Sequence, residues 1–256
     1  MELAAWRQAV GAQPAEDLPG LAVDALARGV DSPAVTQLAG QSPGDVRGSR
    51  DLFEQVLDEL AIATPTEQDA LWKLVRFTCG EIVTRTVTPL TGAQWIWHSA
   101  YHRMEDNGDL RIFVGLASEG EDHPKDTADI EAHIVAAASE LLGRGRLRRW
   151  MKLRAARARS PLSRVTASGD ISIDTAALPI SPELAADVTA WATDYEQTFG
   201  DNAEDSGFDS QSQAVAFTEQ GRSLVRFLQE ELEPDWHVEY MPEPIKPPGL
   251  RLRSRR

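Results

Sequence analysis

The chain has 256 residues, 42% of them hydrophobic, and a formal net charge of -14 at pH 7. This composition supports an ordinary hydrophobic core and excludes global disorder, while the acidic balance excludes a protein that coats nucleic acid with its whole surface. No stretch approaches the roughly 20 apolar residues that span a bilayer, and the first ten residues lack the apolar run of a signal peptide. We therefore expect a cytoplasmic protein with no membrane partner.

The basic residues are concentrated in two stretches that contain no acid. Residues 144–164 carry nine arginines and lysines and residues 250–256 carry four, which leaves 13 basic against 40 acidic residues elsewhere. The sequence therefore predicts an acidic helical domain (1–143), a basic linker (144–164), a small α+β domain (165–241) and a Pro/Arg-rich tail (242–256).

Apolar residues recur at helical spacing through most of the first domain, which predicts a helical bundle. Helix starts are predicted where Ser32 precedes Pro33, and where Thr66 is followed three residues later by Asp69. The longer predicted helices are 49–60, 66–83, 91–104, 110–117 and 126–142. Periodicity at 110–117 also fits a strand, and the helical neighbours favour a helix there. Residues 119–124 are predicted to form an acidic loop.

The second domain is predicted to have the order strand, helix, helix, strand, with both helices on one face of a small sheet. The first strand is indicated by Ile171 and Ile173, which alternate with polar residues, and the last by the alternation from Trp236 to Tyr240. Gly221 lies inside the second helix, where glycine costs about 1 kcal/mol against alanine, so we expect a close helix–helix contact there. The fold as a whole is predicted to be mainly α.

Three side chains in the first domain have the spacing of a metal site. His98, His102 and Glu105 recur at intervals of four and three residues, which places them on one face of a helix. Such a set suits zinc, and a metal-dependent hydrolase is the alternative function that it suggests. The order His-Glu-x-x-His is absent, and the residues flank the apolar stripe of Trp97 and Tyr101, which favours structural histidines instead. We expect no cofactor.

Other catalytic patterns receive little support from the sequence. It contains no Gly-x-Ser-x-Gly and no glycine-rich phosphate loop, and Cys79 lies in an apolar helical run where a buried, inert thiol is expected. A non-enzymatic protein is therefore the leading interpretation.

The basic linker has three possible uses. Its candidate residues are Arg146, Arg148, Arg149, Trp150 and Lys152. The cations could neutralise the acidic domains internally, bind an acidic protein partner around Trp150, or bind nucleic acid through phosphate contacts and base stacking. Internal neutralisation is favoured, and nucleic-acid binding is the third function considered. Both helical spacing and strand alternation fit this stretch, so its conformation is left open.

Acidic residues outside the linker predict a surface that binds a basic protein. The candidate residues fall in two acidic segments and are Glu119, Glu121, Asp122, Asp201, Glu204 and Asp205. The leading function is therefore protein binding of an immunity or regulatory type.

Two sets of segments carry resemblances to known proteins. DLFEQVLDEL, LWKLVRFTCGEIV and WIWHSAYHR, followed by IFVGLASEGEDHP, resemble helical proteins of actinobacteria for which no activity is established. LPISPELAADVTAWATDYEQTF with FTEQGRSLVRFLQEELEPDWHVEY is similar to a small module from the same bacteria. That resemblance implies an association with toxin-immunity or regulatory loci, and it implies no catalytic residues.

Overall fold

The computed structural model describes residues 1–145, 147–199 and 207–242, apart from the side chain of Pro124. The chain divides into two compact units. The first combines Met1–Met104 with Phe113–Gly143, and the second combines Glu105–Ile112 with the chain from Arg144 onward. The predicted mainly α fold, a helical region followed by a small α+β unit, is confirmed.

Short polar caps begin several of the helices in the first part of the chain. Ser32 Oγ accepts a hydrogen bond from the Val35 N–H, and Thr66 Oγ1 accepts one from the Asp69 N–H, both at 3.2 Å, as the sequence predicts. The helices before residue 145 are α1 (Glu2–Ala9), α2 (Leu18–Ala27), α3 (Pro33–Ala39), α4 (Val46–Glu59), α5 (Glu67–Val83), α6 (Pro89–Trp95), α7 (Arg111–Asp122) and α8 (Thr127–Arg144).

Two predictions in this region are wrong in detail. The single helix predicted for 91–104 is instead α6 followed by a π-helical turn, Ile96–Tyr101. The acidic loop predicted for 119–124 is largely helical, because α7 continues to Asp122. The buried face of α7 extends to Gly120, where an added Cβ would lie 2.7 Å from a methyl carbon of Leu90, so the last turn of the helix packs closely against Leu90.

The second unit is a four-stranded sheet with two helices. Its elements are β1 (Arg149–Leu153), β2 (Leu162–Thr166), β3 (Gly169–Ser172), α9 (Pro182–Gln197), α10 (Gln211–Leu232) and β4 (Trp236–Tyr240). The strand order is β3-β2-β1-β4, with β1 and β4 parallel and the other two pairs antiparallel. Residues of the predicted basic linker thus provide β1 and most of β2, which decides the conformation that periodicity left open.

One face of the sheet carries the core of this unit. Met151, Leu153 and Leu162 alternate inward with Val238 of β4, and they pack with Trp191 and other apolar residues of α9 and α10. Ser181 and Ser210 cap the two helices by accepting hydrogen bonds from the first turns of α9 and α10. The opposite face of the sheet is left to polar and aromatic side chains.

Candidate functional site

The buried carboxylate of Asp109 organises much of the basic stretch in the second unit. Its side chain is fully buried and accepts a hydrogen bond from the Arg148 backbone N–H at 2.7 Å. Arg148 adds two side-chain hydrogen bonds, at 3.1 and 3.0 Å, and the Trp150 indole N–H donates a further one at 3.0 Å. Arg144 lies 2.8 Å from the same carboxylate. A buried carboxylate of this kind is tolerated because both of its oxygens accept hydrogen bonds.

The pKa of Asp109 lies below its ordinary value of 3.8 in the folded chain. Burial alone would raise the pKa, but the hydrogen bonds from Arg148, Trp150 and Arg144 favour the ionised form by more. The unfolded chain therefore takes up the proton first as the pH falls. This contribution to stability is complete above the unfolded pKa and is lost as the pH falls through the folded pKa.

A pH titration of folding checks this linkage. We expect the difference in free energy of unfolding between the parent and Asp109→Asn to stay constant above about pH 5 and to shrink steadily below about pH 4. The measurement is urea unfolding at each pH, followed through the Trp150 indole N–H signal, which reports on this cluster directly. A difference that stays the same down to pH 2 would show that folding does not lower the pKa of this carboxyl group.

Trp150 is held from several directions on the face of the sheet opposite the core. Its ring lies 4.2 Å from the His237 ring and 5.2 Å from the Arg111 guanidinium, measured between centres. Gly108 packs directly against the indole, leaving no space there for a Cβ. Burial, and then the charge of Arg148, lower the pKa of His237, so its imidazole is neutral at physiological pH. Trp150 is thus a packed residue rather than an open stacking platform.

Several basic side chains of residues 144–164 are paired with carboxylates of the second unit. Lys152 lies 2.9 Å from Asp170, and Arg164 lies 2.6 Å from Asp106. Arg149 lies over the ring of Trp236, and Arg146 lies outside the described residues. Two of the candidate cations, Arg148 and Lys152, therefore have carboxylate partners within the second unit. Ion pairs of this kind compete with phosphate for the same donors.

The first predicted acidic segment lies at the end of α7. Glu119, Glu121 and Asp122 are exposed, and Glu121 accepts a hydrogen bond from Gln94 at 3.0 Å. The acids continue into α8, because residues 119–131 contain six carboxylates and one lysine.

The second predicted acidic segment precedes Gly207. Asp201, Glu204 and Asp205 lie outside the described residues. Gly207 and Phe208, which follow this segment, line a cavity of about 430 Å³ with Asp194 and Gln197.

The predicted metal ligands are not brought together as a site. His98 lies in the π-helical turn, His102 follows its end, and Glu105 lies beyond the helix, so the regular spacing of an α-helix does not apply. His98 stacks on Trp97, with 4.6 Å between ring centres. The described part of the chain contains no group of three or more His, Cys, Asp or Glu residues that could hold a metal ion.

Two further findings bear on chemistry and location. Burial raises the pKa of the Cys79 thiol to about 12, with Arg76 opposing the shift, so this cysteine is a poor nucleophile. None of the helices in the described ranges combines the length with the apolar character needed to cross a bilayer.

The comparisons with known proteins concern the second unit. Residues 149–243 match the family model described as Serratia CdiI immunity protein-like. This region is similar to an immunity protein. The match begins at β1 and ends just after β4, so it takes in the whole sheet with both of its helices. A search of curated proteins found no match to the chain.

Several residues that organise the site were missed by the sequence analysis. Asp109 and Gly108 belong to no pattern that marks a functional residue, and Asp109 meets Arg148 across 39 residues. Gln229 is a helical glutamine without a distinctive neighbour, yet its side chain bonds to β4. The one signal in the sequence was the stretch 144–164, in which nine basic residues occur without an acid. Such a stretch needs carboxylates from elsewhere in the chain to pair with it.

Proposed function

We propose that this chain is a non-enzymatic, immunity-type protein that binds a basic protein partner and neutralises it. The similarity of residues 149–243 to a CdiI-type immunity protein is the observation that carries the proposal. In this proposal the partner is a toxin, and the full chain is what neutralises it.

The distribution of charge supports a basic partner. In the second unit, Arg148, Lys152 and Arg164 are engaged by carboxylates. At the end of α7, by contrast, Glu119 and Asp122 are exposed beside further acids of α8. An exposed acidic surface steers a basic protein toward it and raises the rate of association.

The position of these acids in the helix also supports binding. Glu119, Glu121 and Asp122 occupy the last turn of α7, where the backbone carbonyls carry partial negative charge. A carboxylate there destabilises the helix by about 0.3–1 kcal/mol, since it repels that end of the dipole. Cationic side chains from a partner would relieve this repulsion, so the free protein is arranged to gain from binding.

The function is tested by recovering the partner and measuring what the chain does to it. The full chain is used to purify interacting proteins from its native source, and each is then produced alone and with the chain in bacteria. We expect one of them to arrest growth alone and to be harmless when the chain is co-expressed. If every protein recovered is harmless alone, the immunity proposal fails.

The acidic segments are tested with the partner so identified. We expect the triple replacement of Glu119, Glu121 and Asp122 by alanine to raise Kd by about tenfold or more, measured by calorimetry, since a steering and contact surface is lost.

The matched control is the triple alanine replacement of Asp51, Glu54 and Asp58, three exposed acids on α4 that change the net charge by the same amount. A second triple at Asp201, Glu204 and Asp205 examines the other predicted segment. If both acidic triples bind like the control, the partner uses neither surface.

A further inference from the structure

The two edge strands of the sheet, β3 and β4, differ in whether their outward backbone groups are hydrogen-bonded within the chain. Those of β4 are. The backbone groups of Asp235 and Met241 bond to β1 at 2.9 Å each, so the odd-numbered residues of β4 face β1 and the even-numbered ones face outward. On that outer side, the Gln229 side chain accepts from the Val238 N–H at 2.8 Å and donates to the Trp236 carbonyl at 2.9 Å. This amide takes the place of a neighbouring strand and blocks the edge.

The edge at β3 has no such closure within the described part of the chain. The Ile173 backbone N–H donates to the Leu162 carbonyl at 2.9 Å. The backbone N–H and carbonyl groups of the odd-numbered residues of β3 therefore point toward β2. Asp170 and Ser172 therefore direct their backbone N–H and carbonyl groups outward. All four residues of β3 are exposed, and no described segment pairs with this side of the strand.

The surroundings of β3 indicate what kind of chain would pair with it. Ile171 is 54% exposed, so its apolar side chain is available for contact at this edge. Asp170 and Asp174 flank it in the sequence. Arg164, which lies opposite Ile171 on β2, is already paired with Asp106, and Lys152 is already paired with Asp170. An extended segment with an apolar side chain to cover Ile171 and basic side chains for the carboxylates would fit.

A second copy of this chain fits the same edge poorly. Pairing β3 with β3 would bring together two copies of Asp170 and of Asp174, within a protein that already has a net charge of -14. Like charges at neighbouring positions in a sheet are destabilising. The charge therefore favours a basic partner over self-association.

We propose that β3 receives an extended basic segment of the partner protein as a fifth strand of the sheet. This inference rests on the proposed function, because it adds the edge of β3 as a second contact for the same partner. The backbone groups of Asp170 and Ser172 provide the hydrogen bonds, and Ile171 provides the apolar contact.

The test removes one outward donor while leaving the ladder with β2 in place. Ser172→Pro loses the outward N–H, and proline is tolerated at an edge position whose N–H is not used within the sheet. We expect Ser172→Pro to raise Kd for the recombinant partner by about tenfold or more, because the edge loses a hydrogen bond and is sterically blocked. The control Ser172→Ala keeps the N–H and should bind like the parent.

A second measurement does not depend on whether the proline variant folds. In the parent chain, the amide protons of Asp170 and Ser172 should exchange rapidly when the chain is alone and be protected in the complex, as followed by amide NMR. Equal exchange in both states, with the partner bound, would overturn the proposal while leaving the immunity function intact. A mass of twice 28.1 kDa without partner, returned to one copy by Ser172→Pro, would overturn it in favour of self-pairing.

Discussion

Replacing Asp109 with alanine is expected to destabilise the second unit by about 3 kcal/mol. The substitution leaves the guanidiniums of Arg144 and Arg148 and the indole N–H of Trp150 without the carboxylate that they share. We place the loss at the lower end of the range for buried pairs because the two arginine side chains keep 25% and 27% exposure and regain some water. Urea unfolding followed at the Trp150 indole signal measures the change.

Asp106→Ala is the matched control for this measurement. Asp106 belongs to the same short segment and pairs with Arg164 at 2.6 Å, but both side chains are more than a quarter exposed. A partly exposed pair of this kind contributes about 1 kcal/mol or less. If the two variants lose the same stability, the cluster around Asp109 does not hold the segment to the sheet.

This cluster explains why the basic stretch was hard to interpret from the sequence. Alternation and helical spacing both fit residues 149–153, and the choice between them depends on β4, which pairs with this segment after more than 80 intervening residues. The carboxylates that pair with Arg148 and Arg164 are Asp109 and Asp106, which lie 39 and 58 residues earlier in the chain. Local patterns carry no information on such distant partners.

Local signals were reliable where local interactions decide the structure. Ser32, Thr66, Ser181 and Ser210 each cap a helix, because a side-chain oxygen satisfies a first-turn N–H within three residues. The alternation from Trp236 to Tyr240 predicted β4, since its inward residues meet the core. The metal hypothesis, by contrast, assumed regular α-helical geometry through His98 and His102, and a π-helical turn at Ile96–Tyr101 changes that spacing.

For the acidic residues of α7, the sequence predicts that the side chains are exposed but not that they lie in a helix. The sequence predicts exposed carboxylates at Glu119, Glu121 and Asp122, and they are exposed, although in a helix rather than a loop. Gly120 is buried between these acids, and its lack of a side chain lets α7 pack closely against Leu90. A charged segment can therefore be ordered by the apolar residues between its charges, which makes it a better defined surface for a partner.

Gly221→Ala should destabilise the second unit by up to about 2 kcal/mol, although alanine is the better helix former. A Cβ at this position would lie 2.7 and 2.8 Å from ring carbons of Tyr240 and 2.9 Å from Trp191. The predicted close contact thus involves a strand as well as a helix. Trp191 cannot retreat, because it is fully buried and its indole N–H donates to the Phe217 carbonyl at 3.1 Å. Overpacking of about 1–3 kcal/mol therefore outweighs the helix-propensity gain of about 1 kcal/mol.

Gly115→Ala separates the packing effect from helix propensity. Gly115 lies within α7, and a Cβ there would have no atom within 4 Å, so we expect alanine to stabilise that helix by about 0.5–1 kcal/mol. Hydrogen exchange resolved by peptide assigns each change to its own element. Faster exchange across α9 and α10 in Gly221→Ala, with slower exchange in α7 of Gly115→Ala, is the expected pair of results. If Gly221→Ala instead slows exchange in α10, the rings of Tyr240 and Trp191 do not restrict this helix, and the unit matched to immunity proteins is packed more loosely than its core indicates.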